Sequence, residues 1–206
     1  MASILDLFKT SIGKILIKKS EEVTGEQENK ISTILSMLLP LTLGKFKNDI
    51  IEDHRDSLNE MLIQAPVPRE FLQSLHEKSS KEIIACGKEY EEFILGKNFD
   101  KISETIVNAT ETSLENVEKI TDLAIPVLVA ILSIAKTRNN IPKYELEILL
   151  DSALGISSKY SNSLNSIIFS HNTDPNIIKD PSEIVVTQQK YTSKKESILK
   201  GFTSGK

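Results

Sequence analysis

The side chains able to do chemistry in this sequence are few and scattered: three histidines, one cysteine, two glutamate pairs and, among five glycine-lysine dipeptides, the two at Gly13-Lys14 and Gly96-Lys97. His54, His76 and His171 stand far apart, and none has a partner at metal-ligand spacing on its own helix. They read as solvent-exposed imidazoles. His54 does sit within Glu52-Asp53-His54-Arg55-Asp56, residue types that hold cations. Adjacent residues point around a helix and do not converge, so this segment reads as a solvated charged turn. Cys86, with Lys88 close by, has the makings of a low-pKa nucleophile, which would need a histidine and an orienting carboxylate delivered by the fold. Its neighbours Ile83, Ile84 and Ala85 predict a buried structural thiol instead. Glu21-Glu22 and Glu91-Glu92 could supply an acid and a base, but neighbouring glutamates are ordinary on exposed helix faces. Gly13-Lys14 and Gly96-Lys97 lack the preceding glycine and the following Ser or Thr of a phosphate loop. No catalytic, cofactor-binding or metal-binding residue is expected, and the chain reads as a non-enzyme.

The same dipeptides belong to a longer echo. Ile12-Gly13-Lys14, then Lys18, Ser20, Glu21 and Val23, recurs 83 residues later as Leu95-Gly96-Lys97, then Lys101, Ser103, Glu104 and Ile106. Each copy leads into an apolar segment interrupted by one proline, Met37 to Leu43 around Pro40 and Leu123 to Val129 around Pro126. The prolines are 86 residues apart, so three residues are gained between the polar signature and the proline. At that offset Gly25 faces Glu111 and Gly44 faces Ala130, and the second copy is expected to close its corners differently. A repeat of this kind is an architectural device in which two helical units bury one shared core. Polar identity is harder to explain by packing than apolar identity, which makes Lys14, Lys18, Glu21, Lys97, Lys101 and Glu104 a candidate twofold-related binding surface; shared ancestry of the copies explains the same identity.

The elements that would position these residues are helical. Ile4, Leu5, Phe8, Ile12, Ile15 and Leu16 recur at three and four, predicting one amphipathic helix from Ser3 to Lys19. Thr24-Gly25 ends that run, and helical spacing resumes from Glu26 to Leu39. Pro40 lacks a backbone donor, which favours a break before a helix toward Glu52. Ala65-Pro66-Val67-Pro68 is the clearest punctuation, with Pro68 suited to open the next helix. A helix from Ser80 toward Leu95 follows, with Gly87 as its weak point, and then helices near 98–109, 114–124 and 126–136. Asn139 to Pro142 is another stop, and 144–154 and 156–169 form a final pair separated by Gly155. The expected organisation is a first helical repeat over 1–64, connecting helices over 65–93, a second repeat with terminal helices over 94–171, and a flexible tail over 172–206.

Composition narrows the function classes. At 206 residues and 39% hydrophobic the chain can bury a real core, and with 5% aromatics and no tryptophan that core is aliphatic. A net charge of −4 argues against nucleic acid as a partner. One cysteine excludes an internal disulfide, and Asp6 and Lys9 interrupt the N-terminal apolar run, so the expected setting is cytoplasmic. The longest uncharged apolar stretch, Leu123 to Ala135, falls short of the roughly 20 residues of a spanning helix. The tail carries Ile184-Val185-Val186, a sticky peptide that could dock on a neighbouring subunit or larger assembly.

Residues Leu5 to Asn48 and Leu95 to Leu154 resemble the bacterial YidB-like family, a domain of unknown function numbered 937. The resemblance is carried by Ile4-Leu5-Asp6-Leu7-Phe8, by Val23-Thr24-Gly25-Glu26-Gln27, and by Leu38-Leu39-Pro40-Leu41-Thr42-Leu43-Gly44. Ile94-Leu95-Gly96 and Ala124-Ile125-Pro126-Val127-Leu128 are similar to its later portion. It implies an all-helical fold and brings no established activity or catalytic residues. The expectation is an all-α bundle of two repeated units, acting as a non-enzymatic structural or protein-interaction protein of bacterial or phage origin, through a protein partner or self-association. The alternative is a membrane-active or injected effector that exposes an apolar helical hairpin.

Overall fold

Thr10 decides where the first α-helix begins. In the computed structural model, which describes residues 3–51, 54–65, 68–94 and 99–170, Ile4–Lys9 forms a 3-10 helix and Thr10 is extended. The Thr10 hydroxyl donates to the Leu7 carbonyl at 2.7 Å and accepts from the Gly13 amide at 3.4 Å, capping α1, Ser11–Thr24. The single helix expected from Ser3 is therefore two elements. Apolar spacing could not reveal the corner, because Ile4, Leu7, Ile12 and Leu16 are buried on both sides of it. Gly13 makes the fold-back possible: a Cβ there would stand 2.3 Å from the Leu7 carbonyl oxygen. α1 ends at Gly25, which is left-handed with φ 71°.

Pro40 and Pro126 break nothing. α2 runs without interruption over Glu28–Ile51 and α7 over Leu114–Arg138, each with its proline as the thirteenth residue. An interior proline costs about 3 kcal/mol. Burying one Leu or Ile side chain returns about 1.5–3 kcal/mol. α2 buries Ile31, Ile34, Leu35, Leu38 and Leu39 up to the proline, and Leu43, Phe46 and Ile50 beyond it, so both halves are held to one axis. In α7 every residue over 120–136 is buried. The uncharged run is short, but the helix has 25 residues, about 37 Å at 1.5 Å per residue, and is long and apolar enough to cross a membrane by length and composition. Here it is the hub of the bundle. Buried Lys136 donates to the Ile141 carbonyl at 2.8 Å, and burial pushes its pKa down.

The remaining elements are α3 Arg55–Gln64, α4 Pro68–Gln73, α5 Ser80–Ile94, α6 Phe99–Thr110, a 3-10 turn Lys143–Glu145, α8 Leu146–Ala153 and α9 Ser161–Ser170. All regular elements among the described residues are helical, so the fold is all-α. Pro68 opens α4 as its position predicts. A reciprocal Ser79-Glu82 cap starts α5, and Ser113 caps α7. The expectation of differently closed corners is corrected by Glu111, which takes φ 52° and repeats the left-handed turn of Gly25 despite its side chain. Its amide bonds the Val107 carbonyl at 2.9 Å, as the Gly25 amide bonds that of Glu21 at 2.9 Å.

Contacts around α2 and α7 answer one another. α1 packs on α2 and α7, and α6 on α7 and α2; α3 and α8 likewise each touch both. Lys30, the third residue of α2, donates to the Glu111 carbonyl at 3.1 Å. Asn116, the third residue of α7, reaches the opposite corner, 3.0 Å from the Glu26 carboxylate and 3.5 Å from the Thr24 carbonyl. Lys47, the twentieth residue of α2, pairs with Asp151 of α8 at 2.8 Å, and Ser133, the twentieth of α7, donates to the Leu62 carbonyl of α3 at 2.5 Å. α4 and α5 lie on α7, and α9 on α7 and α8.

Candidate functional site

The structure separates most of the residues that chemistry would need together. His54 precedes α3 and His76 follows α4, both exposed, and no group of three or more His, Cys, Asp or Glu converges among the described residues. Cys86 is half-buried, and desolvation, with Glu89 adding to it, pushes the thiol up, away from a reactive thiolate. Beside it, burial first and then Cys86 and Glu89 push Tyr90 up to about 12. Glu22 is exposed and accepts from the Ser80 hydroxyl at 3.4 Å.

Lys14 and Lys18 are exposed on α1 and Glu21 is half-buried there, while Lys101 and Glu104 are exposed on α6. Lys97, His171 and Ile184-Val185-Val186 lie outside the described residues, as do the side chains of Glu91 and Glu92. The polar echo is partly core: Ser20 and Ser103 are both fully buried, and Ser20 donates to the Leu16 carbonyl at 2.8 Å. The helices around the echo match at a spacing of 86, not 83. α1 and α6 end at Thr24 and Thr110, whose hydroxyls donate to the carbonyls of Ser20 and Ile106 at 2.6 and 2.7 Å. Lys18 and Lys101 therefore fall on different turns relative to the ends of their helices.

Lys101 instead joins a site that sequence reasoning missed. Pro40, Leu41, Gly44, Lys45, Lys47 and Asn48 of α2, with Lys101 and Ile102 of α6, line an open groove of about 530 Å³. Pro40, Leu41 and Ile102 give it apolar lining beside Lys45, Lys47, Asn48 and Lys101. Leu38, Leu39 and Leu43 of the same proline segment are buried as expected, whereas Leu41 is 38% exposed into solvent. Above Gly44 the space is open: beyond the adjoining backbone of α2 itself, no heavy atom lies within 4 Å of where a Cβ would stand. Three ammonium groups rim the groove. Lys45 pairs with Asp49, and Lys47 with Asp151 at 2.8 Å and Glu147 at 3.6 Å; the hydrogen bond that Lys47 donates to Asp151 raises the Lys47 pKa. The lining offers apolar contact and cationic donors, the chemistry of binding. The signal in the sequence was Gly44 one turn beyond Pro40, a small residue inside a helix that packing does not explain.

The corresponding face of α7 is covered. Pro126 and Ala130, 86 residues beyond Pro40 and Gly44, lie with Val129 under Ala65, Phe71, Cys86 and Tyr90, and only about 10 Å³ is left between them. α5 comes so close that a Cβ on Gly87 would be 1.9 Å from the Asp122 carbonyl oxygen. Gly87 is thus a contact point between helices, where its sequence had suggested a weak one. No family model, no curated protein and no solved structure matches this chain.

Proposed function

We propose that the chain is an internally duplicated, YidB-like helical bundle, with α1–α3 answering α6–α8, and that it works as a protein-interaction module and not as an enzyme. The observation that carries the interaction reading is the groove of about 530 Å³ on α2, lined by Pro40, Leu41 and Ile102 together with three lysines. The duplication is supported by the prolines at equal positions in α2 and α7 and by the paired reaches of Lys30 with Asn116 and of Lys47 with Ser133. The test is affinity isolation from the native organism with the wild-type chain and with Gly44→Phe. A Cβ at this position meets open space, and Gly44 lines the groove, so Phe is chosen to fill it. A partner recovered by the wild type and lost by Gly44→Phe supports the reading; equal recovery by both proteins refutes it.

A second reading, of a membrane-active protein, is favoured by α7, whose length and apolar composition suit a bilayer. On this reading the bundle opens and its sheath of amphipathic helices spreads on the lipid surface. Dye release from anionic liposomes at neutral and mildly acidic pH tests it: leakage unaffected by Gly44→Phe favours insertion, and intact liposomes at both values remove it.

A further inference from the structure

We propose that the open face of α2 around Pro40 and Gly44 is a helix-docking site that takes an amphipathic helix of a partner protein with a carboxylate placed for Lys101, seated there as α5 is seated on α7. This inference rests on the interaction reading above and names the occupant. Around Pro126 and Ala130, α7 receives a helix whose apolar side presents Ile83, Cys86, Gly87 and Tyr90, with Phe71 of α4 closing one edge. Contact there is made at backbone distance through Gly87. The equivalent positions of α2 show the same ingredients without the covering helix: a mid-helix proline, a small residue four positions on, and an exposed leucine beside them.

Two differences say what fits. Gly44 replaces the methyl of Ala130, so the α2 face is hollower and has room for a larger anchor side chain. Lys101 adds an exposed ammonium at the groove, while Lys45 and Lys47, where α7 has Ile131 and Ser133, are already paired with Asp49 and with Asp151 and Glu147. An apolar stripe at i, i+3, i+4 and i+7 would cover Pro40, Leu41 and Ile102, and a flanking carboxylate would meet Lys101. Residues 80–94 are themselves of this type, with four glutamates against two lysines around an apolar stripe.

The probe is therefore a fluorescein-labelled peptide of residues 80–94 carrying Cys86→Ala, titrated with the full-length chain and followed by anisotropy. The expected result is saturable binding in the micromolar range, weakened at least about tenfold by Gly44→Phe and by Lys101→Glu, and weakened by salt. Lys101→Glu changes only an exposed side chain, so the test survives if Gly44→Phe proves unstable. No binding, or binding that both variants leave unchanged, overturns the proposal. A concentration-dependent dimer that Gly44→Phe dissolves, without peptide binding, overturns it in favour of a second copy of the chain. If the peptide fails while partner capture still depends on Gly44, the helical occupant is wrong and the groove reading stands; if neither depends on Gly44, both fall.

Discussion

The two glycines at the centre of the comparison should respond to one methyl group with opposite signs. Both are helical, and replacing a helical glycine by alanine stabilises by about 1 kcal/mol through backbone entropy. At Gly44 a Cβ has no neighbour within 4 Å beyond the adjoining backbone of α2 itself, so Gly44→Ala should show nearly all of that gain. At Gly87 the same methyl would lie 1.9 Å from the Asp122 carbonyl oxygen and 2.6 Å from its carbon and Cα. Relieving that contact to about 3.4 Å means moving α5 from α7 by roughly 1.5 Å, which also lifts Ile83 and Tyr90 off the core. Overpacking of this kind costs about 1–3 kcal/mol and outweighs the entropic gain. Gly87→Ala should therefore lose up to about 2 kcal/mol, and the two variants should differ by about 1–3 kcal/mol. Urea unfolding followed by circular dichroism reads this as midpoints displaced to either side of wild type. A Gly87→Ala protein at least as stable as wild type would refute the close approach of α5 to α7.

Two further outcomes follow from local geometry. Glu111 holds a left-handed φ of 52° that costs an L-residue about 1–2 kcal/mol, so Glu111→Gly should raise stability by about 1 kcal/mol; an unchanged melting temperature would mean the corner is not left-handed. Tyr90 is pushed up to about 12 from an unfolded value of 10, chiefly by burial. The folded state thus holds this proton more tightly, and its contribution is complete below pH 10 and lost as pH rises to about 12. Tyr90→Phe should remove that part of the alkaline loss. Tyrosinate absorbance should show one fewer late-titrating phenol in this variant, and a native Tyr90 titrating near 10 would contradict the burial.

Helical spacing placed most elements to within a few residues, because each helix buries one apolar stripe and turns on residues such as Gly25, Pro68 and Gly155 whose chemistry is local. It failed where tertiary contacts overrule local preference. Pro40 and Pro126 look like breaks until the apolar residues on both sides of each are seen to share one axis. Glu111 looks unable to copy Gly25, yet Lys30 holds its carbonyl from across the bundle. Gly87 looks like a weak point, and only the neighbouring helix shows why no side chain fits. The repeated Lys-x-Ser-Glu lettering led toward α1, but the burial of Ser20 and Ser103 makes part of it a packing feature. The groove was invisible for a related reason. Leu39 and Leu41 read alike in an apolar run, and only the packing of the surrounding helices decides that one is buried and the other exposed.

The most direct test of the central claim, that α2 keeps open a face that α7 has covered, is thiol accessibility at matched positions. In a Cys86→Ala background, Gly44→Cys and Ala130→Cys each place a single thiol, the first in the open groove and the second at a residue only 3% exposed. Maleimide labelling of the native protein should proceed at Gly44→Cys nearly as fast as in denaturant. At Ala130→Cys it should be slower by about a hundredfold or more, since reaction there waits on opening of the bundle. Equal rates at the two positions would contradict the account: both fast would mean that α5 does not cover α7, and both slow that the face of α2 is closed.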